Sequence, residues 1–201
     1  MVSIATQIGR LLTLCALEES SAAMVDSYVV PRLQHILLRE LGDEPHEPLR
    51  HRIEELVARA EDTKTLPLAL IHEDVNSMNI ILDDANNIVG LIDWEAASLL
   101  LLGTNEWCIR FLSTVNRNRV DYETENTTPM AEAFWRGITS SLSTRLQGRK
   151  DVLDAIVTAM QIGLVMFIFW PGNEGPSAVQ MEQGLTRLNW IEETFRPMIQ
   201  A

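Results

Sequence analysis

Apolar residues recur at helical spacing toward both ends of the chain and lose that spacing in the middle. Ile4, Ile8, Leu11, Leu12 and Cys15 predict a first helix. After Ser20-Ser21, the residues Val25, Val29, Leu33, Ile36, Leu37 and Leu41 predict a second, with Pro31 kinking or restarting it and Gly42 ending it. Leu49, Ile53, Leu56, Val57 and Ala60 predict a third. Between residues 66 and 95 the period shortens: apolar runs at 68–71, 80–82 and 88–92 are separated by Asp, Asn and Gly, which predicts short strands. "DDANN" lies between two β-branched runs and predicts a hairpin, because Asp and Asn tolerate a left-handed backbone and hydrogen-bond their own turn.

Beyond Trp94 the helical period returns. Helices are expected over about 105–116, 129–146 (capped by Thr128, with Pro129 first), 150–170 (stopped by Pro171-Gly172) and 177–196. The polar stretch "NRNRVDYETENTT" is expected to be a mobile loop. Met160, Met166, Phe167, Phe169 and Trp170 crowd one helix and are expected in the core, as are Trp107, Trp135 and Trp190. The fold class is therefore mainly α with a small β-hairpin (α+β), and 201 residues suffice for one lobe with its own core.

Composition narrows the partners. The net charge of −12 repels nucleic acid and anionic membrane and favours cationic partners or metal ions. The run from Ile162 to Trp170 is shorter than the ~20 residues of a membrane span. "LLTLCAL" lacks a preceding basic segment apart from Arg10 and runs into Glu18-Glu19, so a helix is expected there rather than a signal peptide. Cys15 and Cys108 form no metal or disulfide pattern, which makes a reducing cytoplasm the default location. His35, His46 and His51 have no ligand spacing.

The candidate chemistry lies in "LALIHEDVNSMNIILDDANNIVGLIDWEAA", residues 68–97. Phosphoryl transfer needs a carboxylate to align a hydroxyl and take its proton, and oxygen ligands to hold Mg²⁺ on the nucleotide phosphates. Asp74 suits the first task, and Asn79 and Asp93, brought back together by the hairpin, suit the second. His72 is expected to pack and hydrogen-bond so as to hold the Asp74 loop. Glu95, Glu106 and the acids of 121–125 read either as an anionic pocket for an amine or as solvated surface acids, and the surface reading is preferred for all but Glu95, which adjoins the metal segment.

"IHEDVNSMNI" and "GLIDWE" resemble the catalytic segments of the aminoglycoside phosphotransferase and choline kinase family, relatives of the protein kinases, whose patterns are H-G-D-x-x-x-x-N-I and I-D-W-E. "VVPRL" and "GTNEW" extend the similarity to fungal members. The resemblance implies that 1–201 is a single helical C-terminal lobe of a protein-kinase-like phosphotransferase fold. It implies Asp74 as base, His72 and Glu95 as supporting residues, Asn79 and Asp93 on Mg²⁺, ATP as cofactor, and a small-molecule acceptor that the acid surplus allows to be cationic. Glu73 replaces the usual glycine, where it is expected to crowd the loop or raise the pKa of Asp74.

The family's nucleotide site also uses a strand-rich N-terminal lobe with a phosphate loop and a strand lysine. Neither Lys64 nor Lys150 has a strand context, and residues 1–65 read as helices, so that lobe is expected to be absent and turnover of the chain alone weak or nil. A truncated gene product, a remnant kept as a non-catalytic binding module, and a lobe supplied by another chain each accommodate this.

Overall fold

The computed structural model describes residues 1–41, 46–117, 120–170 and 175–200. Its centre is helix α7 (Lys150–Ile168), whose side chains are buried from Ala155 through Met166. By length and composition α7 is apolar enough to cross a membrane, but 72% of its apolar window is buried inside the fold, the property of a core helix. Against it pack α4 (Glu47–Arg59) with its 3-10 extension Ala60–Thr65, and α8 (Ala178–Met198). Ser177 caps α8 in a reciprocal box with Gln180. Ser177→Ala should cost about 1 kcal/mol, read as a lower urea midpoint at unchanged slope.

The second helical segment, residues 22–40, is one rod with no break at Pro31. The α-helical pieces α2 (Ala22–Met24) and α3 (Val30–His35) are joined and followed by π-type turns at Val25–Val29 and Ile36–Glu40. Wider turns let backbone N–H groups reach carbonyls five residues back, as Leu41 does to Ile36, so the rod absorbs a residue that lacks an N–H. The stop signals at Gly42 and Pro171-Gly172 lie outside the described residues.

On the other side, α1 (Val2–Leu14) crosses α6 (Thr127–Ser141) through facing glycines. A Cβ on Gly9 would meet the Phe134 carbonyl, and one on Gly137 the Thr6 carbonyl. Helix α6 begins two residues before the expected Pro129, with Asn126 rather than Thr128 at its cap. Thr127 enters the helix and its hydroxyl donates to the Ser113 carbonyl (2.7 Å).

The expected strands are present, as β2 (Pro67–Ile71) and the hairpin β3 (Ile80–Leu82) and β4 (Ile88–Leu91). Two unexpected strands flank β2 to make an antiparallel sheet in the order β1-β2-β5: β1 (Ala16–Ser20) and β5 (Ser98–Leu101). The helix expected over 105–116 is shorter, a 3-10 turn Glu106–Cys108 followed by α5 (Ile109–Ser113). The chain then enters a second hairpin, β6 (Thr114–Arg117) with β7 (Val120–Glu123), where a loop was expected.

Candidate active site

The site is built where β2 ends and the hairpin begins. At the tip of the hairpin Asp83 Oδ1 accepts from the N–H groups of Ala85 (2.9 Å) and Asn87 (2.8 Å), and Asn86 takes φ 61°. This is the turn chemistry expected of "DDANN". Gln7 of α1 braces the hairpin, its side-chain oxygen accepting from Ile88 N–H (2.8 Å) and its amide donating to the Asn86 carbonyl (3.2 Å).

At the open end the hairpin closes on the loop that carries Asp74. The Ile92 N–H donates to the Asn79 carbonyl (3.0 Å), so Asp93, the next residue, leaves the ladder beside Asn79. Asp93 itself sits in the left-handed region, φ 68° and ψ 56°, a conformation Asp tolerates better than most residues. Its side chain and that of Glu95, on the following 3-10 turn Trp94–Ala96, are exposed.

Asp74 is exposed but fixed. Its Oδ2 accepts from Asn79 Nδ2 (3.0 Å) and its Oδ1 from Asn76 Nδ2 (2.9 Å). Asn79 Nδ2 also donates to the Asp74 carbonyl (2.9 Å), which ties the two residues twice. Both nitrogen contacts of Asn79 point at Asp74, so its amide oxygen is left for another partner. Asn76 went unremarked in the sequence, although its place two residues after an aspartate is a turn signal; its own oxygen accepts from Met78 N–H (2.8 Å).

His72 is buried behind the loop. Its Nε2 hydrogen-bonds the Ile92 carbonyl (2.7 Å), and its ring meets Trp94 edge-on at 4.6 Å. The imidazole thus links the start of the Asp74 loop to the residue before Asp93. Its Nδ1 is buried with no hydrogen-bond partner. The Glu73 side chain turns toward β5, where Ser98 Oγ donates to its Oε1, and neither oxygen is bonded to Asp74.

The other acids part ways. Glu106, expected at the surface, is 1% exposed and accepts from the Asn105 N–H (3.1 Å). Burial pushes its carboxyl up to about 7, against the backbone N–H groups of residues 106, 105 and 103 that hold it down. Asp121 is half-buried and bonded to Arg187 (2.7 Å); burial raises its pKa, but the Arg187 and Asn116 hydrogen bonds outweigh that and leave it lowered. Glu106 is enclosed, and Asp121 lines a small cavity of about 230 Å³ with Glu182 on the α8 side. Of the aromatic residues expected in the core, Trp107, Trp135 and Phe169 are buried, whereas Phe167 (42%) and Trp170 (47%) are exposed on cavity walls.

Residues 11–102 match the profile of a phosphotransferase enzyme family, APH. The matched segment holds His72, Asp74, Asn79, Asp93 and Glu95. Among solved structures, ethanolamine kinase from Plasmodium vivax is similar at 12% identity and a TM-score of 0.47, over 93% of this chain and 58% of that one. This chain thus spans 58% of the length of that kinase. No curated protein matches the chain.

Proposed function

We propose that residues 1–201 form the helical C-terminal lobe of a protein-kinase-like phosphotransferase that moves the terminal phosphoryl group of ATP, with Mg²⁺, to a hydroxyl of a small molecule. The observation that carries this reading is the joining of Asp74, Asn79 and Asp93 at the open end of one hairpin, by the Asn79–Asp74 side-chain bond and the Ile92–Asn79 backbone bond.

Asp74 is exposed to an incoming acceptor and held by two amides, which leaves it carboxylate lone pairs to align a hydroxyl and receive its proton. The Asn79 amide oxygen and the Asp93 carboxylate are hard oxygen donors suited to Mg²⁺. Mg²⁺ sites commonly take one or two protein oxygens and complete their shell with water and phosphate oxygens. When bound, Mg²⁺ neutralises charge on the transferred group. His72 holds the loop and the hairpin end together, and Glu95 adds a carboxylate beside Asp93.

Among the described residues neither Lys64, in a 3-10 turn, nor Lys150, at the start of α7, stands on a strand. Residues 1–201 by themselves would therefore turn over weakly or not at all. A non-catalytic binding module is the second reading, favoured by the exposed cross-strand neighbours Leu70 and Leu99.

A non-hydrolysable ATP analogue with Mg²⁺ should raise the thermal midpoint of the wild type, by an amount equivalent to about 2.7 kcal/mol at a hundredfold excess over Kd. Asp93→Asn, which keeps the left-handed turn and removes the charge, should lose most of that shift. No shift in either protein would sink the catalytic reading.

A further inference from the structure

Two cavities meet at Glu73. The first, about 620 Å³, lies between the 22–40 rod, β5 and the C-terminal end of α7, and its walls include the rings of Tyr28, Trp107, Phe167 and Trp170. The second, about 720 Å³, holds Asp74 together with Phe111 and Arg187. Glu73, Phe167 and Trp170 line both.

The charges on these walls do not follow the charge of the chain. Among the described residues of the first cavity Glu73 is the only acid, and Arg32, also present, is bonded to Glu40 and the Phe169 carbonyl. In the second the acids among the described residues are Glu73 and Asp74, and Arg187 there is already bonded to Asp121. A net charge of −12 suggests a cation binder, yet an acceptor with several positive charges meets only two carboxylates, Glu73 and Asp74, on the described walls. What the walls supply instead is aromatic surface, which holds an apolar body with a few placed polar groups.

Resting on the phosphotransfer reading, we infer that the acceptor is an amphipathic alcohol with no more than two positive charges. Its hydroxyl lies at Asp74 in the second cavity, and its apolar body passes Glu73 into the first. Glu73 is then a specificity-determining residue. A side chain at that position, anchored by Ser98, narrows the junction that a glycine would leave open.

The test is a tryptophan-fluorescence titration with 1,2-alkanediols of four to ten carbons and with kanamycin as the polycation, without nucleotide or metal. Trp107 and Trp170 on the first cavity report binding. Kd should fall about fourfold for each added methylene, and octanediol should bind more tightly than kanamycin. Ser27→Trp, which fills the mouth of the first cavity from an exposed helix position, should raise Kd at least tenfold.

Glu73→Gly should bind decanediol more tightly than the wild type does. Should that variant not fold, Ser98→Ala, which only frees Glu73, gives the same direction. Kd independent of chain length, tighter kanamycin binding, or an unaffected Ser27→Trp variant would each overturn the inference. Because the titration omits nucleotide, its failure leaves phosphotransfer to the magnesium–nucleotide measurement, and a failed nucleotide shift leaves the diol series readable.

Discussion

Gly163→Ala should be the most damaging single methyl group in this protein, costing about 3 kcal/mol or more. A Cβ at Gly163 would overlap the Thr104 carbonyl oxygen and stand 2.6 Å from the carbonyl carbon and 2.8 Å from the Cα. All three atoms are backbone, so no rotamer change relieves the clash. The Thr104 segment is itself fixed: its N–H (3.2 Å) and its hydroxyl (2.8 Å) both donate to the Leu101 carbonyl at the end of β5. Gly103, at φ +107°, lies against α7 as well, where a Cβ would meet Ala159 at 2.8 Å. To admit a methyl group, α7 must part from the turn that carries Asn105 and Trp107 to the first cavity. For a chain of this size that loss lowers the thermal midpoint by roughly 10 °C. Gly90→Ala is the control, since its Cβ meets only Ile81 Cδ1 at 4.0 Å. Equal midpoints for the two variants would show that α7 and the turn are not locked as described.

Glu106 should make the protein less stable as pH rises through the neutral range. The carboxyl titrates near its ordinary 4.5 in the unfolded chain and at about 7 in the folded one, because burial penalises the charged form. Below 4.5 both states are protonated and the residue is neutral to stability. Between 4.5 and 7 the unfolded state releases the proton while the folded state keeps it, so stability falls, and above 7 it levels off. A shift of that size corresponds to about 3 kcal/mol. The difference in unfolding free energy between the wild type and Glu106→Gln should therefore change by about 3 kcal/mol from pH 4 to pH 8. Urea denaturation at the two pH values measures it. Burial, and secondarily Glu106, raise the thiol pKa values of Cys15 and Cys108, so neither cysteine ionises in that window. A difference independent of pH would mean that the carboxylate is solvated or paired.

The Asp74 loop and the hairpin were legible because their chemistry is local. Asp83, Asn86 and Asn87 make a turn by bonding to their own backbone, and a turn of that length sets Leu82 opposite Ile88; an irregularity between Ile81 and Leu82 then brings Ile80 opposite Leu91. Strand β1 was not. "ALEES" carries no alternation of apolar and polar residues, and it is a strand because β2, about fifty positions later, offers it a free edge. The hairpin of β6 and β7 lies in a polar stretch whose turn residues read equally as loop. In the candidate site, the residue types at 72, 74, 79 and 93 announced themselves, while the direction of Glu73 and the contribution of Ser98 did not, since that contact joins a loop residue to the start of β5, 25 positions later.

The order of residues along the chain settled which groups share the hairpin, since backbone turns and short-range periodicity are fixed by neighbours within a few positions. Burial was decided by the assembled fold, because it sums contacts from segments far apart. That is why Glu106 became the enclosed acid while Glu95 stayed in solvent, and why Phe167 and Trp170 left the core for the cavity walls. It is also why, in a chain of net charge −12, the described walls of the two cavities that meet at Glu73 hold only two acids, Glu73 and Asp74.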